Sequence, residues 1–417
     1  MAADPPTILQ IIPRLDTGGA ELSAIEITEA ITRAGARALV ATEGGRMASR
    51  ITACGGEIIP FAAGTKNPLR MLTNARALER LVRDQGIDLI HARSRAPAWS
   101  ALLAARRSKI PFVTTYHGAY AEKGRLKRLY NSVMARAGVV IANSAYTAGL
   151  IRQRYGTPPS RIRIIHRGVD LAEFRPEAVA PARVEALRRA WGVTPGQPVI
   201  LQAARLTAWK GQRVLIEAAA LARDRGQFGD AVVILAGDAQ GRDSYGETLK
   251  REAEACGLGD RVRLVGHVDD MAAAYLAAHV TVVASIEPEA FGRTATEAQA
   301  LGCPVIATAI GAPPETILAA PRAGLAEATG WLVAPGDTAA LGEALAAALA
   351  MPTDVRTAMA VRAQAHVVRH FTLEAMQRAT LAVYDELLPS GLSEGLQKRF
   401  LAATSSTRPV TGTTPAA

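Results

Sequence analysis

A chain of 417 residues is too long for one ordinary domain and comfortable for two. Apolar residues make up 49% and aromatics only 5%, so two cores can be buried and must consist of Ala, Val, Leu and Ile, which suits parallel sheets covered by helices. The formal charge of +10 favours anionic partners, but no basic tract with interleaved aromatics appears, which speaks against a nucleic-acid binder.

The N-terminal run MAADPPTILQII has no basic start and a short apolar stretch, so no secretory signal is expected. No apolar run reaches the roughly 20 residues that span a bilayer. Cys54, Cys256 and Cys303 are odd in number, far apart and lack metal-ligand spacing, which fits a reducing compartment. The expectation is a cytoplasmic protein, soluble or held at the inner face of the membrane.

In chain order, short β-rich runs alternate with helical stretches. Thr7–Ile12, Ala36–Ala41, Ile58–Phe61, Ile87–His91, Phe112–Tyr116, Val139–Asn143 and Arg163–His166 read as strands, with helices such as Pro68–Gln85 and Tyr146–Tyr155 between them. After a pause at Phe174–Trp191 a second series follows: Val199–Ala203, Val232–Ala236, Val262–Val265, Val280–Ala284, Val305–Ala307 and Trp331–Val333. The alternation predicts an α/β chain of two Rossmann-like domains, 1–185 and 186–388, with a flexible tail over 389–417.

In open parallel sheets ligands bind beyond the carboxyl ends of the strands, so the informative residues follow strands. Thr17-Gly18-Gly19-Ala20-Glu21 opens a helix after the first strand; the glycines suit either close approach to an anion at a helix start or a plain tight turn. Arg205 and Lys210 border the loop after Val199–Ala203 and could clamp a diphosphate, or be solvated loop cations. Glu289 and Glu297, with seven residues between them in EAFGRTATE, could hold the hydroxyls of a sugar and a ribose, with Gly292 bringing the loop close to phosphates.

Taken together these segments resemble family 4 glycosyltransferases, a retaining group with the GT-B fold, over Ile8–Leu388. The resemblance is carried by GGAE at Gly18–Glu21, HG at His117-Gly118, NSAYT at Asn143–Thr147 and HRGVDLAEFRP at His166–Pro176. It continues through ARLTAWKG at Ala204–Gly211, GHVDD at Gly266–Asp270, EAFGRTATEAQALGCPVIAT at Glu289–Thr308 and TGWLVAPGD at Thr329–Asp337. The resemblance implies two sheets facing across a cleft that holds the reaction. Gly18, Gly19, Arg205 and Lys210 would meet the donor diphosphate, Glu297 the ribose and Glu289 the sugar. The segment Phe291, Gly292, Arg293 and Thr294 would lie near sugar and phosphates, and His117 beside the reacting carbon. Two departures fall in the donor-sugar pocket: Arg293 where a small or aliphatic residue is usual, and Gly311-Ala312 for the common Gly-Gly before Glu315.

The implied activity is retaining, metal-independent transfer from a nucleotide diphosphate sugar, with no other cofactor. The acceptor would be a glycan or lipid-linked hydroxyl of bacterial lipopolysaccharide, capsule or exopolysaccharide synthesis. A sugar-nucleotide 2-epimerase on the same fold and a non-catalytic nucleotide- or glycan-binding module stay open. A nicotinamide enzyme would need GxGxxG where Leu15–Ala20 has only GG. Asp269-Asp270 reads as a helix start, not a metal pair. In Lys123–Arg136, Leu126, Leu129, Tyr130, Val133 and Met134 share one helical face flanked by cations. That pattern fits an ordinary surface helix or, alternatively, a peripheral contact with anionic lipid.

Overall fold

The computed structural model describes residues 5–406 except 17, 121, 123, 239–242, 321 and 325. Its contacts divide the chain into two compact units. The first holds residues 1–142, 151–165 and 374–417, and the second holds 143–150 and 166–373.

The first unit has a seven-stranded parallel sheet of β1 (Thr7–Ile11), β2 (Arg37–Thr42), β3 (Glu57–Pro60), β4 (Ile87–Ala92), β5 (Phe112–Tyr116), β6 (Val139–Ala142) and β7 (Ile162–Ile164). Their order is β3-β2-β1-β4-β5-β6-β7. The second unit has six: β8 (Val199–Ala203), β9 (Val232–Ala236), β10 (Val262–Gly266), β11 (Val280–Val283), β12 (Val305–Thr308) and β13 (Gly330–Val333), ordered β10-β9-β8-β11-β12-β13. Each sheet winds outward from its first strand in both directions. Each therefore has a switch point, at β1/β4 and β8/β11, where loops leave in opposite directions and open a crevice at the carboxyl ends.

The apolar runs of the strands are explained by burial on both faces. In the second unit Val199, Leu201, Val232 and Ile234 pack on one side, while Ile200, Val233 and Leu235 pack on the other. The thirteen expected strands are all present, with ends shifted by a residue or two. The helix Pro68–Gln85 is capped by Asn67, whose side chain accepts from the Leu69 and Arg70 amides.

Three details differ from the sequence reading. The expected division near residue 185 contrasts with crossings at 142/143, 150/151, 165/166 and 373/374; Val169, Phe174 and Val179, which precede 185, join the core of the second unit. Within 389–417, Leu392–Ser406 is a helix held at its start by Asp385, which accepts from the Leu392 and Ser393 amides at 2.8 and 2.9 Å. Residues 407–417 lie outside the described residues. The expected single face of Lys123–Arg136 is also broken. A helix runs only from Arg125 to Asn131 and a 3-10 turn follows, so Val133 and Met134 are buried while Leu126 and Leu129 are exposed. Lys123 lies outside the described residues.

Candidate active site

The second unit gathers the expected donor residues at the carboxyl end of its sheet. Arg205 and Lys210 lie in the loop after β8, and Glu289 and the helix Arg293–Ala300 follow β11, so the two groups flank the β8/β11 switch point. Lys210 and Glu289 are in direct contact: the ammonium donates to Oε1 of the carboxylate, with only 17% and 10% of the two side chains exposed. Ser285 Oγ donates to the same oxygen at 2.5 Å. The Lys210 Nζ also sits 4.2 Å from the centre of the Trp209 ring. A carboxylate this buried needs such partners, since an unpaired charge there would be costly.

The loop that carries the two cations is held by two glutamines. Gln202, inside β8, donates to the Lys210 carbonyl at 2.7 Å, and Gln212 donates to the Arg205 carbonyl at 2.9 Å. Gly211 between them has φ 71°, and a Cβ there would fall 1.9 Å from the Ala284 carbonyl oxygen. Only glycine lets the loop pass so close to the end of β11. The Arg205 side chain is exposed beside this anchored backbone.

Glu297 accepts from the Tyr275 hydroxyl at 3.1 Å. Thr294 donates to the Ala203 carbonyl at 3.3 Å, which fastens the first turn of the 293–300 helix to the end of β8. Gly292 precedes that helix with φ 84° and leaves its first amides uncapped by any side chain. Uncapped amides at a helix start suit an anion. Arg293 donates to the Gly168 carbonyl at 3.2 Å, and Phe291 is buried with its ring 5.9 Å from that of His166.

Glu315 was visible in the sequence only as part of a departure, and the structure gives it a larger part. It accepts from the Ala145 and Tyr146 amides at 2.7 Å each and bonds His166 Nε2 at 3.2 Å. A carboxylate at the start of the helix Ala145–Tyr155 is stabilised by the helix dipole. Burial alone would raise its pKa; the bonds from His166 and the two amides outweigh that and hold it below the ordinary value. Through this cap Ser144 is placed to donate to the Ala290 carbonyl at 2.7 Å. At the other end of the same segment the Ala312 amide donates to the Glu289 carbonyl at 2.9 Å. The loop 289–293 is thus tied from several sides.

In the first unit Gly18 and Gly19 are exposed at the start of the helix Gly19–Arg33, beyond the end of β1. Thr17 lies outside the described residues. A Cβ on Gly18 would fall 2.6 Å from the Glu21 carboxylate. His117 follows β5 directly and is half-buried. Asp270 accepts from the Ala273 amide at 3.0 Å and pairs with Arg183 at 2.7 Å, as expected of a helix start. Among the described residues no group of three or more His, Cys, Asp or Glu side chains could hold a metal ion.

Comparison with known proteins identifies the family and the fold. The model of Glycosyltransferase Family 4 matches residues 17–173 and that of Glycosyl transferases group 1 matches 183–366. The D-inositol 3-phosphate glycosyltransferase of Salinispora tropica is 32% identical over 72% of this chain and 64% of its own length. The chain spans 54% of the Salinispora arenicola protein of the same name. D-inositol 3-phosphate glycosyltransferase 1 of Catenulispora acidiphila is 31% identical over 73% of each chain. Among solved structures, a glycosyltransferase from Rickettsia africae superposes with TM-score 0.83 at 31% identity, covering 92% of this chain and 99% of that one. Anabaena HepE in complex with UDP-glucose gives TM-score 0.79 at 25% identity, covering 91% of this chain and 100% of that one. The chain belongs to glycosyltransferase family 4 and has the GT-B fold.

Proposed function

We propose that the chain moves a sugar, with retention at the anomeric carbon, from a nucleoside diphosphate sugar to a hydroxyl of a glycan or glycolipid. The observation that carries this reading is the Lys210–Glu289 pair, buried at the switch point of the second sheet. Without donor, each charge satisfies the other. When the diphosphate enters, Lys210 exchanges its carboxylate for phosphate oxygens, and Glu289 turns to the sugar hydroxyls. One exchange couples recognition of the two halves of the donor. Arg205 and the uncapped amides beyond Gly292 add positive charge where the leaving diphosphate gains negative charge. The bond from the anomeric carbon to the phosphate oxygen breaks, the acceptor oxygen bonds the same face, and the departing phosphate oxygen takes the acceptor proton. Glu297 would hold the ribose, Gly18 and Gly19 the diphosphate, and His117 would position groups beside the reacting carbon.

The HepE structures with UDP and UDP-glucose favour a uridine donor. The relatives named for D-inositol 3-phosphate favour a second acceptor class, a phosphorylated polyol, beside the surface glycans of lipopolysaccharide or capsule synthesis. The test is a panel of nucleoside diphosphate sugars with both acceptor classes, with product configuration read by NMR. Retained configuration supports the proposal, and inversion overturns it. Conversion of donor to its 2-epimer without acceptor would establish the epimerase instead. Since fixed cations supply the charge, chelation with EDTA is expected to leave the rate unchanged; a loss restored by a divalent cation would contradict metal independence.

A further inference from the structure

The helix Arg293–Ala300 begins with a cation, although the positive end of a helix favours an anion there. The structure shows what holds that cation. Its Nη2 donates to the Gly168 carbonyl at 3.2 Å, and the side chain is half-buried. A bond from a charged donor is stronger than one between neutral groups. From the other side, Thr294 fastens the same turn to the Ala203 carbonyl at the end of β8.

Gly168 belongs to a tightly paired segment. Its neighbour Val169 donates to the Phe371 carbonyl at 2.8 Å and accepts from the Leu373 amide at 2.9 Å, which makes a parallel bridge between Val169 and Thr372. A Cβ on Gly168 would fall 2.3 Å from the Leu373 Cα, so the two segments run in contact where only glycine fits. The chain passes between its two units next to these segments, at 165/166 and 373/374. The loop 289–293 meets them a second time through rings. Phe291 lies 5.9 Å from Phe371, edge-on, and 5.9 Å from His166. All of these residues lie within the second unit. Ring packing tolerates small displacements, whereas a hydrogen bond weakens steeply with misalignment, so Arg293 is the stricter of the two links.

We propose that Arg293 is a positioning residue: through Gly168 it makes the paired segments 168–169 and 372–373 respond when a diphosphate occupies the start of the 293–300 helix. The inference rests on the donor reading of that helix start. An anion drawn to the first amides stiffens the turn, Arg293 passes this to the Gly168 carbonyl, and the two cross bonds of Val169 carry it to Phe371 and Leu373. A guanidinium that touched phosphate would act on affinity. One that acts through Gly168 acts on the response of the paired segments.

The test is amide hydrogen exchange of the full chain, read by mass spectrometry with and without saturating UDP, in the parent, Arg293→Met and Arg293→Lys. Met keeps the length and the apolar stem but has neither charge nor donor, while Lys keeps both. In the parent, UDP is expected to slow exchange by about tenfold or more in the helix Arg293–Ala300 and in the peptides that carry the Val169 and Leu373 amides. In Arg293→Met the helix should still respond and UDP affinity should stay within about threefold, while the response at Val169 and Leu373 is lost. Arg293→Lys should restore it. Each reading is the difference that UDP makes, so a general loosening of a variant cancels. An undiminished response at Val169 and Leu373 in Arg293→Met would overturn the inference. So would a loss of UDP affinity of about tenfold or more in that variant, the size of a lost bond to a charged group. UDP that slows the helix but not the paired segments of the parent overturns the inference and leaves the donor reading standing; UDP that slows neither overturns both.

Discussion

Each sheet has one glutamine buried in the apolar run of its first strand, Gln10 in TILQI and Gln202 in VILQA, and the two do different work. Gln10 turns inward: it donates to Thr28 and the Ala24 carbonyl and accepts from buried Arg93 at 2.5 Å. It fastens a helix and a neighbouring strand to the sheet. Gln202 turns to the ligand edge and holds the loop of Arg205 and Lys210. The second unit thus spends its buried polar bonds on the carboxyl-end loops, whereas the first leaves Gly18 and Gly19 exposed. On the proposed function, a site for one fixed diphosphate would gain from pre-set groups, while loops that meet an acceptor would gain from openness.

The largest expected break in that comparison comes from Lys210→Ala. On the proposed function Lys210 meets the leaving diphosphate, and removing such a cation costs about 100-fold to 1,000-fold in rate. It also leaves the Glu289 carboxylate buried without its ion partner. Glu289→Gln should therefore add less to Lys210→Ala than it costs alone, because the two side chains act as one unit. Steady-state rates of the two single variants and the double variant check this; full additivity would separate the pair.

Next is Gly311→Ala. Gly311 has φ 84°, and a Cβ there would meet the Glu289 carbonyl oxygen at 2.2 Å. The strained backbone alone costs about 1 to 3 kcal/mol, and relief of the clash must move the loop 289–293. Thermal unfolding and UDP titration should both register it. Gly118→Ala in the first unit, at a residue whose Cβ would meet nothing nearer than 3.5 Å, should do neither to a comparable extent. Equal effects would mean that the two units are equally tolerant.

Glu315→Ala should cost about 1 to 2 kcal/mol as a lost helix cap. Its effect should fall on donor affinity too, through Ser144 and Ala290. Because the folded carboxyl titrates below its ordinary 4.5, the stability it adds is complete above that pH and drains as pH falls below it. The melting temperature of Glu315→Gln should fall less steeply with acid over that window.

The strands were legible because burial on both faces leaves continuous apolar runs, and Lys210 and Glu289 could be singled out because each stands in a loop that follows a strand. Glu315 and His166 were not legible as partners: they are 149 residues apart, and only folding shows that one carboxylate serves both His166 and a helix start. The exposure of the large leucines was half legible. The helical period placed Leu126 and Met134 on one face, but the change to a 3-10 turn after Asn131 rotates Val133 and Met134 into the core.

The smallest effect expected is a pH slope in the second unit. His366 packs among rings, 5.1 Å from His370 and 5.3 Å from Phe371. Burial first, and then the charge of His370, lowers its pKa from 6.5 to about 4, against a bond that the ring donates to the Thr316 backbone, which raises it; Arg322 and Arg369 add to the lowering. The folded chain therefore keeps this ring neutral while the unfolded chain takes up a proton. The stability difference is fully present above pH 6.5 and is lost as pH falls toward 4, since the unfolded state binds more protons throughout that window. Replacing His366 with Asn removes the titration whatever it does to packing, so the comparison is of slopes and not of absolute melting temperatures. Between pH 6.5 and 4 the variant should lose less than the parent. Parallel slopes would mean that another group carries the acid sensitivity.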